Sequence, residues 1–266
     1  QDQMAQTPAP AMDLLAKIAK PAVAKANEEA KDIQALIDAQ NGGFKLEPWD
    51  WDFYSEQVRK AKYDLDESQI KPYFEIGSVL EKGVFFAAKQ MYGLTFKERN
   101  DLPVYNPDVK VYEVFNDKGT SIAIYYLDFY ARDNKNGGAW MSNLVNQSHY
   151  LNQKPVIVNV YNFAKPVNGN PSLISFDDVT TLVHEVGHTL HGLFANQTYV
   201  TLSGTAVPRD YVEIPSQINE HAALDPTVLK NYAVHYQTKQ AIPQELIDKI
   251  KKADTFNKGY VVTELL

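Results

Sequence analysis

The chain has no cysteine. Disulfides and thiolate metal sites are therefore excluded, and the absence suits an oxidising or a reducing compartment alike. It is also short of positive charge: 26 Lys and Arg stand against 33 Asp and Glu, for a net charge of −7. A nucleic-acid surface needs clustered Lys and Arg to meet phosphate, so that class of partner is not expected. No apolar run approaches the length of a membrane span. The opening "QDQMAQTPAPAM" has no basic region followed by an apolar one, so no signal peptide is visible, which favours the cytoplasm and leaves the periplasm open. Internal repeats and low-complexity tracts are missing as well.

Hydrophobic residues make up 44% of the 266 positions and aromatics 12%. That composition supports a sizeable core in one or two domains and excludes disorder over the bulk of the chain. Three segments follow from the patterning. Residues 1–100 read as helical. "DLLAKIAKPAVAKANEEAKDIQALIDAQ" has apolar residues at helical spacing, with a kink or break predicted at Pro21. "NGGF" ends it, and Pro48 opens a second helix whose Trp49, Trp51, Phe53 and Tyr54 are expected to pack against a neighbouring helix rather than form a ligand cage. Residues 101–165 read as β-rich. Two β-branched and aromatic runs flank Asn116-Asp117-Lys118-Gly119 as a hairpin, and "KPVIVNVYNFAK" is a third strand. That strand is a place for peptide backbone to add, or simply core. Gly137 and Gly138 in "NKNGGAW" suit close backbone approach, to a ligand or merely to another strand.

Residues 166–266 read as helical again and carry the chemistry. Ser175 with Asp178 forms a capping-box variant, and apolar positions from Val179 to Phe194 recur at helical spacing. The stretch "TTLVHEVGHTLHG" on that helix holds three of the chain's six histidines. His184 and His188 are one turn apart on one face, where two imidazole nitrogens can share an ion. Glu185 lies about 100° further round, beside such an ion rather than on it, which is the H-E-x-x-H arrangement of a zinc site with a glutamate base. Burying these groups without a partner is costly.

A hydrolytic zinc ion needs three protein ligands and an open position. The H-E-x-x-H-x-x-G-x-x-H pattern would need Gly at 191 and His at 194, where the chain has His191 and Phe194, so that class is excluded. His191 is read as supporting or packing. The third ligand should be a carboxylate on a following helix, and Asp210, Glu213 and Glu220 all qualify on spacing. Pro208 suits the first turn of that helix, and Pro215 predicts a kink or a short first turn within it.

"HEVGHTLHGLFANQTYVTLSGTAVPRDYVEIPSQINEH" resembles the M3 family of zinc oligopeptidases, above all its bacterial peptidyl-dipeptidase members. The resemblance extends through "FKLEPWDWDFYSEQVRKAKYDLDE", "NGGAW" and "FNKGYVVTELL". It implies an α+β, mostly helical fold: a zincin-like HExxH catalytic core with a small β-sheet, the chain being one catalytic-domain fragment of a larger helical peptidase. It implies Zn2+ held by His184, His188 and Glu213, with Glu185 catalytic, and short peptides as substrates that lose C-terminal dipeptides. Family members are longer at both ends, and a later tyrosine- and histidine-bearing segment grips the peptide. The 266-residue chain is thus expected to show little activity alone, unless Tyr199, Tyr211 or His221 substitute. Ala222 departs from the aromatic residue usual at that place in such members. The alternative is a non-catalytic, zinc-stabilised module, against which Glu185 counts because a structural site has no use for it.

Overall fold

A computed structural model describes residues 5–64, 66–167 and 169–265. It is a mixed α+β chain with a single five-stranded sheet among the described residues, divided into two compact units. One unit comprises Gln1–Asp66 with Pro243–Leu266, the other Glu67–Ile242. No described helix is long and apolar enough to cross a membrane.

Among its described residues the first unit holds four α-helices, numbered along the whole chain: α1 (Pro8–Ala39), α2 (Trp51–Tyr63), α9 (Gln244–Ala253) and α10 (Lys258–Leu265). Pro8 starts α1, where a missing N–H costs nothing. Of the kink or break expected at Pro21, the break does not occur: the Ala-, Lys- and Glu-rich flanks propagate the helix on both sides. Ile33, Ile37, Trp51 and Val58 form the core, with Tyr54, Phe256 and Tyr260 packed against it. Trp51 stacks on Tyr260 at 4.1 Å and donates to Asn257 Oδ1, so packing is its role, while Trp49 and Phe53 are exposed. The buried Glu29 carboxylate accepts from the backbone N–H groups of Gly259 and Tyr260 at the start of α10.

The second unit opens with α3 (Glu67–Ile70), α4 (Ile76–Ser78), a π-helical stretch over Val79–Phe85 and α5 (Phe86–Tyr92). The strands follow: β1 (Thr95–Glu98), β2 (Lys110–Phe115), β3 (Ser121–Tyr130), β4 (Trp140–Val145) and β5 (Val156–Phe163), in the order β1-β2-β3-β5-β4. All pairs are antiparallel except β3 with β5. The β2–β3 hairpin turns where the sequence places it, with Gly119 at φ +73° and Asn116 Oδ1 accepting from the backbone N–H of Lys118 and Thr120. The expected third strand is β5. It is bonded on both sides and cannot accept an added peptide, so it is core; the free edge near it belongs to β4, which the sequence reading did not mark. Gly138 takes φ +85° in the turn before β4, and no chain atom crowds Gly137 or Gly138, so neither is there to admit another strand.

Residues alternate between the two faces of β5. Ile157, Asn159 and Tyr161 point to the face covered by α6 (Phe176–Leu193): Asn159 bonds Glu185 O, Tyr161 bonds Leu182 O, and Ile157 lies against Gly192. α7 (Ile214–Glu220) packs on α6, and α8 (Pro226–Tyr232) packs on the π-helical stretch, with Tyr232 against Gly83.

Candidate metal centre

α6 is specified at its first turn. Ser175 Oγ accepts from Asp178 N–H while the Asp178 carboxylate accepts from Ser175 N–H, a closed capping box, and Asp177 and Asp178 sit at the positive end of the helix dipole. Val179, Leu182, Val183, Val186, Leu190 and Leu193 are buried along it.

Gly187, between the two histidines, admits α7. A β-carbon there would lie 2.5 Å from Ser216 Cα and 2.8 Å from Pro215 O. The second helix does not begin near Pro208, as the sequence suggested; residues 209–213 form turns, and α7 starts at Ile214 with Pro215 inside its first turn. The reason is that proline lacks only an N–H that the first turn leaves unbonded, so Pro215 begins a helix where it would have broken one. Glu213 becomes the N-cap residue of α7, just before the Pro215 and Ser216 backbone that meets Gly187.

This placement brings three side chains together. His184 Nε2 and His188 Nε2 lie 3.3 and 3.2 Å from the same atom, Glu213 Oε2. These residues form the group able to hold a metal ion among the described residues. Ligand atoms about 2.0–2.1 Å from a tetrahedral ion stand about 3.3–3.4 Å apart, so the spacing fits zinc. The hydrogen bonding points the same way. His184 Nδ1 donates to Glu220 Oε1 at 2.7 Å, an arrangement that frees Nε2, which faces Glu213, to serve as a ligand atom. Glu213 Oε2 also accepts from Ser216 Oγ at 2.9 Å, which fixes the carboxylate. Electron pairs converging on one point are the complement of a cation.

Glu185 is buried on the same helix turn, and its Oε2 has no hydrogen-bond partner. Burial pushes its carboxyl up to about 6; His184 opposes the rise and Glu213 adds to it. Burial likewise holds His188 below the ordinary histidine value, against the pull of Glu213. A neutral imidazole is the form that binds metal.

Of the three carboxylates left open by spacing, Glu213 meets both Nε2 atoms, Glu220 meets the far nitrogen of His184, and Asp210 is outside the group. His191 is outside it too: its buried Nδ1 is unpaired and its ring lies 6.2 Å from that of Tyr211. Tyr199 lies by Tyr150. Sequence reasoning missed Gly187, Ser216 and the role of Glu220. The first could have been suspected from a glycine inside an apolar helix, which costs stability unless something approaches it closely.

The profile of peptidase family M3 matches residues 1–266. The chain belongs to peptidase family M3. As an M3 chain it is 56% identical, over its whole length, to dipeptidyl carboxypeptidase of Escherichia coli, and covers 39% of that protein. It is 37% identical to oligopeptidase A of the same organism, with 99% of this chain matched to 39% of that one. An organellar oligopeptidase A of Arabidopsis thaliana is 34% identical over 94% of this chain, which spans 33% of the plant protein. The M3 chain thus spans about two fifths or less of the length of these relatives.

Proposed function

We propose that this chain is the zinc-binding part of a metallopeptidase acting on short peptides, with His184, His188 and Glu213 as ligands and Glu185 as general base. The observation that carries the reading is the convergence of both Nε2 atoms on Glu213 Oε2 at 3.3 and 3.2 Å, beside a buried, unpaired Glu185 carboxyl. When bound, zinc supplies Lewis acidity, polarising a carbonyl oxygen and lowering the pKa of water.

The remaining work belongs to the chain. Glu185 takes one proton from water as the water oxygen bonds to the scissile carbonyl carbon. It returns that proton to the amide nitrogen as the C–N bond breaks, leaving a carboxyl on one product and an amine on the other. A carboxyl at about 6 is ionised at neutral pH yet remains a useful base and acid. Glu220 orients the His184 ring, and Ser216 orients Glu213. The edge strand β4 packs against α6, with Met141 and Asn143 reaching Gly192. An extended peptide paired to that edge lies along the helix that carries Glu185.

The name of the 56% identical relative, dipeptidyl carboxypeptidase, supplies the substrate class: peptides shortened from the carboxyl end by two residues. The chain covers 39% of that relative, and we infer that the full grip on substrate includes residues outside this share. A structural zinc module is the competing reading. Structural sites carry four protein ligands, whereas three residues converge here among the described ones. The test is metal content of the purified chain, then cleavage of a blocked short peptide by the zinc-loaded chain and by a protein of the relatives' full length. Absence of zinc, or zinc without cleavage in the longer protein, overturns the reading.

A further inference from the structure

The turn of α6 that runs from His184 to His188 is tied to the sheet at both of its ends by one side chain. Asn159 on β5 is fully buried. Its Nδ2 donates to the backbone oxygen of Glu185 at 3.1 Å, and its Oδ1 accepts from the hydroxyl of Thr189, one residue past His188. The same Oδ1 accepts from Tyr125 OH at 2.5 Å, which holds the amide from the strand on its other side. Tyr125 and Thr189 are themselves fully buried.

Apolar packing alone tolerates small slides and rotations of a helix on a sheet, whereas a satisfied buried polar network has one arrangement. Tyr161 OH also reaches α6, but at Leu182 O, before the first histidine. Asn219 reaches it at Val183 O, again before the first histidine. Asn159 is the side chain that spans the turn bearing His184, Glu185 and His188.

We propose that Asn159, braced by Tyr125 and Thr189, is the positioning residue that sets this turn against the metal and fixes the direction of Glu185. It acts through the helix and touches neither metal nor substrate. The inference rests on the zinc reading above. Loss of a group bonded directly to a metal ligand lowers metal affinity by about 10–100-fold; Asn159 stands one step further back and should act at the lower end of that range.

The experiment measures zinc affinity by chelator competition, the visible spectrum of the cobalt-substituted chain, and the melting temperature of the metal-free chain. The variants are Asn159→Leu, Thr189→Val, Thr189→Ser and, for comparison, Tyr161→Phe. Asn159→Leu and Thr189→Val should weaken zinc binding about tenfold or more and shift the cobalt bands. Thr189→Ser, which keeps the hydroxyl, should restore both. Tyr161→Phe should lower the melting temperature with affinity and spectrum unchanged. Should Asn159→Leu fail to fold, the Thr189 pair decides. If Thr189→Val matches Tyr161→Phe, with stability lowered and metal properties intact, the contact is structural only and the inference falls. If the unsubstituted chain takes up no zinc, the metal reading falls first and takes this inference with it.

Discussion

Gly187 and Ser216 are packed backbone to backbone: a β-carbon on Gly187 would stand 2.5 Å from Ser216 Cα. No flexible side chain can yield there, because the opposing atoms are main chain of Pro215 and Ser216 and the β-carbon of Asn219. Gly187→Ala should therefore force α6 and α7 apart and cost about 1–3 kcal/mol, as overpacking does. It should also withdraw Glu213 from the histidines and weaken zinc binding. Urea denaturation and chelator competition check the two effects together, and a variant that keeps both properties would show that the close approach is dispensable.

The two glutamates around His184 should differ in degree. Glu213 faces both Nε2 atoms, whereas Glu220 bonds only the far nitrogen of His184. Glu220→Ala should lower zinc affinity about 10–100-fold through loss of ring orientation. Glu213→Ala should lower it much further, since the carboxylate proposed as a ligand is gone. Competition titration with a chelator ranks them; the reverse order would transfer the ligand role to Glu220.

Glu185→Gln should retain zinc and lose hydrolysis. The amide keeps the shape of the buried side chain but accepts no proton, and loss of a general base costs about 10²–10⁴-fold in rate. The measurement is turnover of a blocked peptide in a protein of the relatives' full length, with zinc occupancy verified. Near-normal turnover there would remove Glu185 from the mechanism.

Acid should loosen the approach to β4 before it reaches most of the core. Asp128 is buried on β3 and accepts from Tyr105 OH, Arg132 and Lys135, whose ammonium also bonds the carbonyls of Tyr130 and Tyr161. Burial pushes the Asp128 carboxyl up, but the hydrogen bonds from Arg132, Lys135 and Tyr105 outweigh it and hold the group below its ordinary 3.8. A folded value below the unfolded one means that the stabilisation is complete above about pH 4 and is lost as pH falls through the folded value. Asp128→Asn should cost about 3–5 kcal/mol at pH 7, the usual effect of removing one partner from a buried ion pair. The gap to the unsubstituted chain should narrow as pH drops below about 4, which denaturant titrations across pH 3–7 will show.

Local features were legible in the sequence because local forces make them. The Ser175–Asp178 box and the spacing of Val179, Leu182, Val183 and Val186 announce α6, and Asn116 with Gly119 announces the β2–β3 turn. β4 was not legible. Its residues, Trp140 to Val145, are exposed or half-buried at a sheet edge, so they carry no apolar run of the kind that marks β5. The break offered as one outcome at Pro21 does not occur, because the rule for proline describes what one residue loses, while a long helix is held by its neighbours. Pro215 shows the same limit from the other side: its meaning depends on where the helix begins, which the chain's own pattern left open.

By itself the sequence determined the spacing of His184, Glu185 and His188, because one helical turn converts four residues along the chain into one face in space. It left Asp210, Glu213 and Glu220 equal on spacing, and only the family resemblance pointed to Glu213. Tertiary structure decided which of them comes to the imidazoles. A notch at Gly187 lets α7 close on α6, and the start of that helix at Ile214 sets Glu213 against the two Nε2 atoms while sending Glu220 to the far side of His184. Such a distance between helices is set by backbone contact across the core, and no periodicity within a single segment encodes it.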